Sequence, residues 1–288
     1  MSDVLVVGVD GTIGSALFNY LNTMNISAWG SSHRPVNQRA NIFYLNLLDD
    51  PKQWSIPKIS FGTAFLCAGV CRMALCEDDP ELTRKINVIG MTRLVDYLVK
   101  MGVFVVYLST NQVFSGAESY VHEHTNYQPL NKYGQQKADV ETYIKTACQA
   151  YAIVRLTKVF EPKMQLLLGW VDKLVSGNTI EAFHDMVLAP VTLKVVIELL
   201  FIIGIKKRVG IFQISGAKDI SYFELAKSLA DILNCSNALI LPVSAKERGM
   251  KINFLPRFTT MDCSSIMSLT SGEPPDYLDV LTETLGIK

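Results

Sequence analysis

"VLVVGVDGTIGSAL", residues 4–17, is the stretch that decides the fold. Four apolar residues, Val4 to Val7, run into three glycines set three apart, Gly8, Gly11 and Gly14. Consecutive apolar and β-branched positions read as a strand buried on both faces. Ile13, Leu17, Leu21 and Met24 then recur at helical spacing, so a helix follows. Glycine has no Cβ, so it permits a sharp turn and lets another group touch the main chain. The start of a helix presents unpaired N–H groups and a partial positive charge. Strand, glycine turn and helix start, in that order, suit a pyrophosphate. A tight turn that binds nothing would use the same residues, and G-x-x-G-x-x-G departs from the simple G-x-G-x-x-G fingerprint.

Working outward, strand-like runs at 4–7, 26–29, 42–45, 63–67, 103–108 and 152–156 alternate with amphipathic stretches. In the clearest of these, residues 80–102, Leu82, Ile86, Ile89, Leu94 and Leu98 are expected on one helix face. Pro80 suits the first turn and Gly102 the position after the end. Such alternation implies an α/β fold, a Rossmann-type doubly wound parallel sheet covered on both faces, with ligands beyond the carboxyl ends of the strands. After residue 157 the alternation stops. Residues 158–210 look mainly helical, "GIFQIS" (210–215) looks like one more strand, and "SYFE" (221–224) is a capping box. The expected organisation is a dinucleotide-binding domain over 1–157, with the further strand near 210–215. A smaller, mainly helical C-terminal substrate lobe over 158–288 is interleaved with it and closes over the crevice.

The 288 residues carry 27 basic and 27 acidic side chains, a balance that argues against nucleic acid as a partner. Cys67, Cys71, Cys76, Cys148, Cys235 and Cys263 match no zinc spacing and read as reduced thiols of a cytoplasmic protein. No signal peptide is recognised, and "VVIELLFIIGI" (195–205) is too short to span a bilayer, so it reads as a buried helix and no membrane is expected. His122, His124 and His184 lack metal spacing, and no metal site is expected.

"VFVVYLSTNQVF" (103–114) is a strand ending in Ser109 and Thr110, and "YGQQK" later sets Tyr133 and Lys137 four apart. On a helix that spacing stacks both side chains on one face. An ammonium beside a phenol favours phenolate, so Lys137 is expected to lower the Tyr133 pKa. Such a tyrosine can exchange a proton with a carbonyl or alkoxide oxygen, which Thr110 could hold.

These pieces, with "LNLLD" (45–49), "CAG" (67–69), "CEDDPELTRKINVIGMTRL" (76–94), "HEHTNYQPLNKYGQQKADVE" (122–141), "VRLTKVF" (154–160), "LAPVT" (188–192) and "GIFQISG" (210–216), resemble the extended short-chain dehydrogenase/reductases. Within them the chain looks most like the dTDP-4-dehydrorhamnose reductase group of nucleotide-sugar reductases. The resemblance implies Thr110, Tyr133 and Lys137 as catalytic residues. It implies a cofactor site of Gly8, Gly11, Thr12, Ile13, Gly14, Ser31, Arg34, Asn46, Leu47, Cys67, Ala68 and Gly69, shared with Tyr133 and Lys137. It implies a nucleotide-sugar substrate and allows a homodimer. The chain departs from the family pattern at Asp10, Asn46, Asn111, Gln112, Lys158 and Glu161.

The second strand ends in "AWGSSHRP" (28–35), with no acid for ribose hydroxyls. Ser31, Ser32, His33 and Arg34 could meet a 2′-phosphate, which points to NADP, with NAD kept open and Asp10 a source of repulsion if close. The expected activity is reduction of a nucleotide-linked 4-keto sugar. A nucleotide-sugar epimerase and a non-catalytic, cofactor-binding regulatory subunit are the alternatives. A 4,6-dehydratase is disfavoured because no acid follows Thr110.

Overall fold

Val4 to Val7 are fully or nearly fully buried in strand β1 (Asp3–Val7), and the chain leaves it through the glycine turn into helix α1 (Thr12–Thr23). The computed structural model describes residues 2–35, 41–248, 255–270 and 272–287. Strands β2 (Ala28–Ser32), β3 (Ile42–Tyr44), β4 (Phe61–Leu66), β5 (Phe104–Thr110), β6 (Tyr151–Leu156) and β7 (Gly210–Ile214) complete a seven-stranded parallel sheet in the order β7-β6-β5-β4-β1-β2-β3. The order reverses at β1 and β4, so the tips of these two strands flank the place where such sheets take ligands. β4 and β5 are buried along their whole length, as unbroken apolar runs covered on both faces should be. The second strand begins at Ala28 rather than at Ile26.

The chain divides into two compact units. The first comprises Met1–Val113, Tyr127–Arg155 and Ile197–Phe212; the second comprises Phe114–Asn126, Leu156–Val196 and Gln213–Lys288. In the first unit, Leu5, Val7, Leu66, Met91, Leu94, Val105 and Val140 belong to one apolar core.

Residues 80–100 are not one regular helix. After the short helices α2 (Met73–Asp78) and α3 (Pro80–Arg84) comes a π-helical turn, Lys85–Gly90, and then α4 (Met91–Lys100). A π turn inserts a residue and rotates the faces on either side of it. The expected apolar face holds in α4, where Leu94 and Leu98 are buried, and at Ile86, which packs against the same core. Leu82 and Ile89 are 43% and 37% exposed, and Thr83, Asn87 and Val88 face inward instead. Gly102 lies past the end of α4 with φ +70°, as expected for a terminating glycine. Helix α5 (Lys132–Ala147) carries Tyr133 and Lys137.

The second unit contains α6 (Gln165–Val175) and three short strand pairings, 159–160 with 191–192, 220–221 with 187–188 and 240–243 with 180–183. The apolar run 195–205 lies in helix α7 (Leu193–Ile205), whose residues from Ile197 on belong to the first unit, with Val196, Leu200 and Ile203 fully buried. Helices α8 (Tyr222–Ile232), α9 (Ser264–Met267) and α10 (Tyr277–Leu285) follow, and the expected capping box at Ser221 and Glu224 opens α8. Leu167, Trp170, Leu225, Leu229 and Val280 form part of this unit's own core. Among the described residues no helix is long and apolar enough to cross a membrane.

Candidate active site

The glycine turn is built for close approach. Gly8 has φ +92°, a conformation that costs an L side chain energy, and a Cβ there would sit 2.8 Å from the Ala68 backbone. A Cβ on Gly14 would lie 2.2 Å from the Gly8 carbonyl oxygen and 3.3 Å from the Cys67 side chain. These two glycines let the tips of β1 and β4 and the first turn of α1 close on one another. Gly11 differs: its Cβ would meet only the Gly8 carbonyl, at 3.7 Å, so the space before α1 stays open. Gly11 is the N-cap of α1 and no side chain caps that end. Uncapped N–H groups at Thr12 and Ile13 beside an open glycine fit a pyrophosphate.

The tip of β2 closes the cradle. The Gly8 N–H donates to the Ser31 carbonyl oxygen at 3.1 Å and to Ser31 Oγ at 3.2 Å. Ser31 is 1% exposed, so its hydroxyl holds the glycine loop rather than facing outward. Ser32 Oγ donates to Asp10 Oδ2 at 2.8 Å. His33 and Arg34 remain exposed beyond it. After β3, Asn46 Oδ1 accepts the Leu48 N–H at 3.1 Å, its carbonyl accepts from Trp54 Nε1 at 3.0 Å, and Leu47 is buried in the core. Burial pushes the Cys67 thiol up to about 12, and Gly69 stands at the head of the loop that follows β4.

Thr110 is the last residue of β5 and Tyr133 the second of α5, and the Thr110 side chain reaches the Tyr133 phenol. Lys137 is 8% exposed; its Nζ donates to the Leu108 carbonyl at 2.8 Å and lies 5.9 Å from the centre of the Tyr133 ring. Burial lowers the Lys137 pKa to about 8. The Tyr133 pKa is raised, not lowered as the Tyr-x-x-x-Lys spacing suggested. Burial is the largest cause, Cys71 and Cys76 nearby add to it, and the nearby Thr110 hydroxyl only partly offsets it. The ammonium is held against the β5 backbone, and the phenol keeps its proton.

Four supports are not read from the sequence. Gln112 Oε1 accepts from Asn131 Nδ2 at 2.8 Å, while Asn131 Oδ1 accepts the Gly134 N–H at 2.7 Å and so caps α5. Asn111 Oδ1 accepts from Thr110 Oγ1 at 3.4 Å. The two departures after Thr110 therefore seat the helix and the hydroxyl of the site. Asn87, turned inward by the π turn, brackets Val70 through both its N–H and its carbonyl and donates to Gln136 Oε1 at 2.8 Å. Behind Thr110, fully buried Glu141 on α5 accepts from Ser109 Oγ, from Tyr127 Oη at 2.8 Å and from the fully buried Arg155 of β6 at 2.7 Å. The signal for this last group was Arg155, a charge inside the apolar strand run "YAIVRL" that needs a buried partner.

The sequence model of the family described as "RmlD substrate binding domain" matches residues 1–287. The chain belongs to that family. Methionine adenosyltransferase 2 subunit beta of Xenopus laevis is 24% identical over 98% of this chain and 86% of its own length. A dTDP-4-dehydrorhamnose reductase of Aggregatibacter actinomycetemcomitans is 22% identical over 80% of this chain and 79% of its own. Among solved structures, dTDP-4-dehydrorhamnose reductase of Bacillus anthracis in complex with NADP shares the fold with a TM-score of 0.86, at 21% identity and 98% coverage of each chain. MoeE5 in complex with UDP-glucose and NAD shares it with a TM-score of 0.80, at 20% identity, covering 97% of this chain and 96% of that one.

In this member of the RmlD substrate binding domain family, Lys158, Lys163 and Arg257, basic side chains of a kind suited to a substrate diphosphate, are exposed in the second unit. Lys251 lies outside the described residues. His122, Glu123 and Asp262 bring one ligand atom each within 4.8 Å of one another in that unit, a grouping that residues 140 positions apart do not reveal in sequence. Ser265 Oγ donates to Glu123 at 3.1 Å and His122 Nε2 lies 3.4 Å from it, so these side chains engage one another.

Proposed function

We propose that this chain is an NAD(P)-dependent reductase of a nucleotide-linked 4-keto sugar, with Tyr133 as the proton donor. One observation carries the reading: Thr110, Tyr133 and Lys137 converge at the tip of β5, in the same unit as the glycine cradle at the tips of β1 and β4. Gly8, Gly11, Gly14, Thr12 and Ile13 would hold the pyrophosphate of the dinucleotide, and Arg34 a 2′-phosphate. When bound, the nicotinamide supplies a hydride. The chain's own task is to hold the substrate oxygen and give it a proton. A phenol whose pKa is raised stays protonated at neutral pH, which suits a donor better than a base. Thr110 orients that phenol. Lys137, tied to the Leu108 carbonyl, keeps a positive charge behind it.

The neighbours named for dTDP-4-dehydrorhamnose reductase with NADP and for MoeE5 with UDP-glucose and NAD support this class of substrate and cofactor. Tyr133→Phe removes one oxygen and leaves the ring, so folding and cofactor binding should persist. Consumption of reduced cofactor in the presence of a nucleotide-linked 4-keto sugar should slow by roughly 10²–10⁴. An unchanged rate would remove Tyr133 from the reaction.

A second reading is favoured by a specific observation. The relatives covering 98% of the chain are named as a subunit of methionine adenosyltransferase 2. On that reading the chain is a cofactor-binding subunit of such an enzyme. Co-elution with a methionine adenosyltransferase, together with no turnover of any keto sugar, would put it first.

A further inference from the structure

Asp10 stands in the glycine turn, between Gly8 and Gly11, and its carboxylate reaches across to the tip of β2. Oδ2 accepts from Ser32 Oγ at 2.8 Å and from the His33 N–H at 3.2 Å, and His33 Nδ1 lies 3.2 Å away. Ser32 Oγ in turn accepts the Arg34 N–H at 3.0 Å. All these contacts fall on one carboxylate oxygen; among the described residues no group donates to Oδ1. The Asp10 side chain is 23% exposed, so the carboxylate is not sealed off from a ligand.

One strand tip thus carries two opposed charges, the Asp10 carboxylate and the exposed Arg34 guanidinium. In dinucleotide folds an acid near this tip accepts from the ribose hydroxyls, and an arginine takes a 2′-phosphate. A carboxylate accepts hydroxyl hydrogens well and repels phosphate, while a guanidinium does the reverse. β2 ends in Ser31 and Ser32, and His33 and Arg34 follow, with no acid among them. The missing charge comes instead from the glycine turn, a place the usual spacing rule does not inspect.

We propose that Asp10 sets the choice of cofactor: its carboxylate favours the ribose 2′-hydroxyl and opposes the 2′-phosphate that Arg34 attracts, so the chain accepts NADH and NADPH alike. This rests on the reading of the glycine cradle as a dinucleotide site. The competing role for Asp10 is to fasten the turn to β2 and nothing more. Asp10→Asn separates the two, because it keeps an oxygen to accept from Ser32 and His33 and loses only the charge.

The test is fluorescence titration of NADH and of NADPH into the full chain. Wild type should bind the two within about tenfold of each other. Asp10→Asn should tighten NADPH relative to NADH by about tenfold or more, the scale of a charge-assisted contact exchanged for repulsion. Asp10→Ser, which shortens the side chain as well, should move the ratio in the same direction. A ratio unchanged in both variants overturns the proposal. If wild type binds neither nucleotide, the dinucleotide site itself is refuted and the selector falls with it.

Discussion

Lys137 is the residue whose environment says most about the site. Its ammonium is buried against Tyr107, with Nζ 4.7 Å from that ring centre, and burial lowers its pKa to about 8 from the ordinary lysine value of 10.5. Below about pH 8 the lysine is protonated in the folded and the unfolded chain, and the full cost of burying its charge is felt. Between about pH 8 and 10.5 the unfolded chain binds the extra proton, so this group makes stability rise with pH. Cys67 acts the other way. Its thiol goes from 9.0 to about 12, so its contribution is lost as pH climbs through that range. Comparing wild type with Lys137→Met in urea unfolding isolates the lysine. The variant should be the more stable below about pH 8, and its advantage should shrink toward pH 10.5. A difference constant with pH would mean that the ammonium is better solvated than its burial implies. Tyr133 and Lys137 could be named from the four-residue spacing, but the sign of the phenol shift could not. Spacing places two side chains on one face and says nothing of how deeply the pair is buried, and burial decides the sign here.

Helix α5 is the element on which the site depends. Asn131 caps its start, docked by Gln112, and this fixes the phase in which Tyr133 emerges. Two turns further on, Glu141 anchors the same helix to Ser109 and Arg155, so that β5, α5 and β6 share one buried carboxylate. Glu141→Ala removes the carboxylate facing a buried guanidinium and should cost about 3–5 kcal/mol. Replacing both partners, Glu141→Leu with Arg155→Met, should recover most of that loss, because an apolar pair avoids the desolvation of two ions. Thermal unfolding of the two variants checks this. A single replacement costing under about 1 kcal/mol would contradict the role given to the pair. Of this helix only the four-residue spacing of Tyr133 and Lys137 was legible in the sequence; its start at Asn131 and its length were not, because they depend on the Gln112 contact from another element. Nor was the π turn at Lys85–Gly90. Its sequence reads as regular helix, and only the inward demand of Asn87, which clamps Val70, distinguishes it.

At the scale of the whole molecule, the seven-stranded sheet was readable because buried parallel strands are largely apolar runs, and β1, β4 and β5 carry such runs while β6 is broken only by Arg155. The second unit was less so. Its strand pairings are two to four residues long and join segments such as 180–183 and 240–243, too short for periodicity to register. The two units also interleave, taking 114–126 into one and 197–212 into the other, a division set by long-range contacts rather than local pattern. The central claim concerns the first unit: its glycine cradle and its Thr110, Tyr133 and Lys137 serve one reduction. The direct measurement uses reduced cofactor deuterated at the transferable position, incubated with the full chain and a nucleotide-linked 4-keto sugar, with the sugar product analysed by mass spectrometry. The account predicts one deuterium in the product of the wild-type chain and its near absence, over the same time, with Tyr133→Phe. Cofactor that binds while no deuterium reaches the sugar would contradict it.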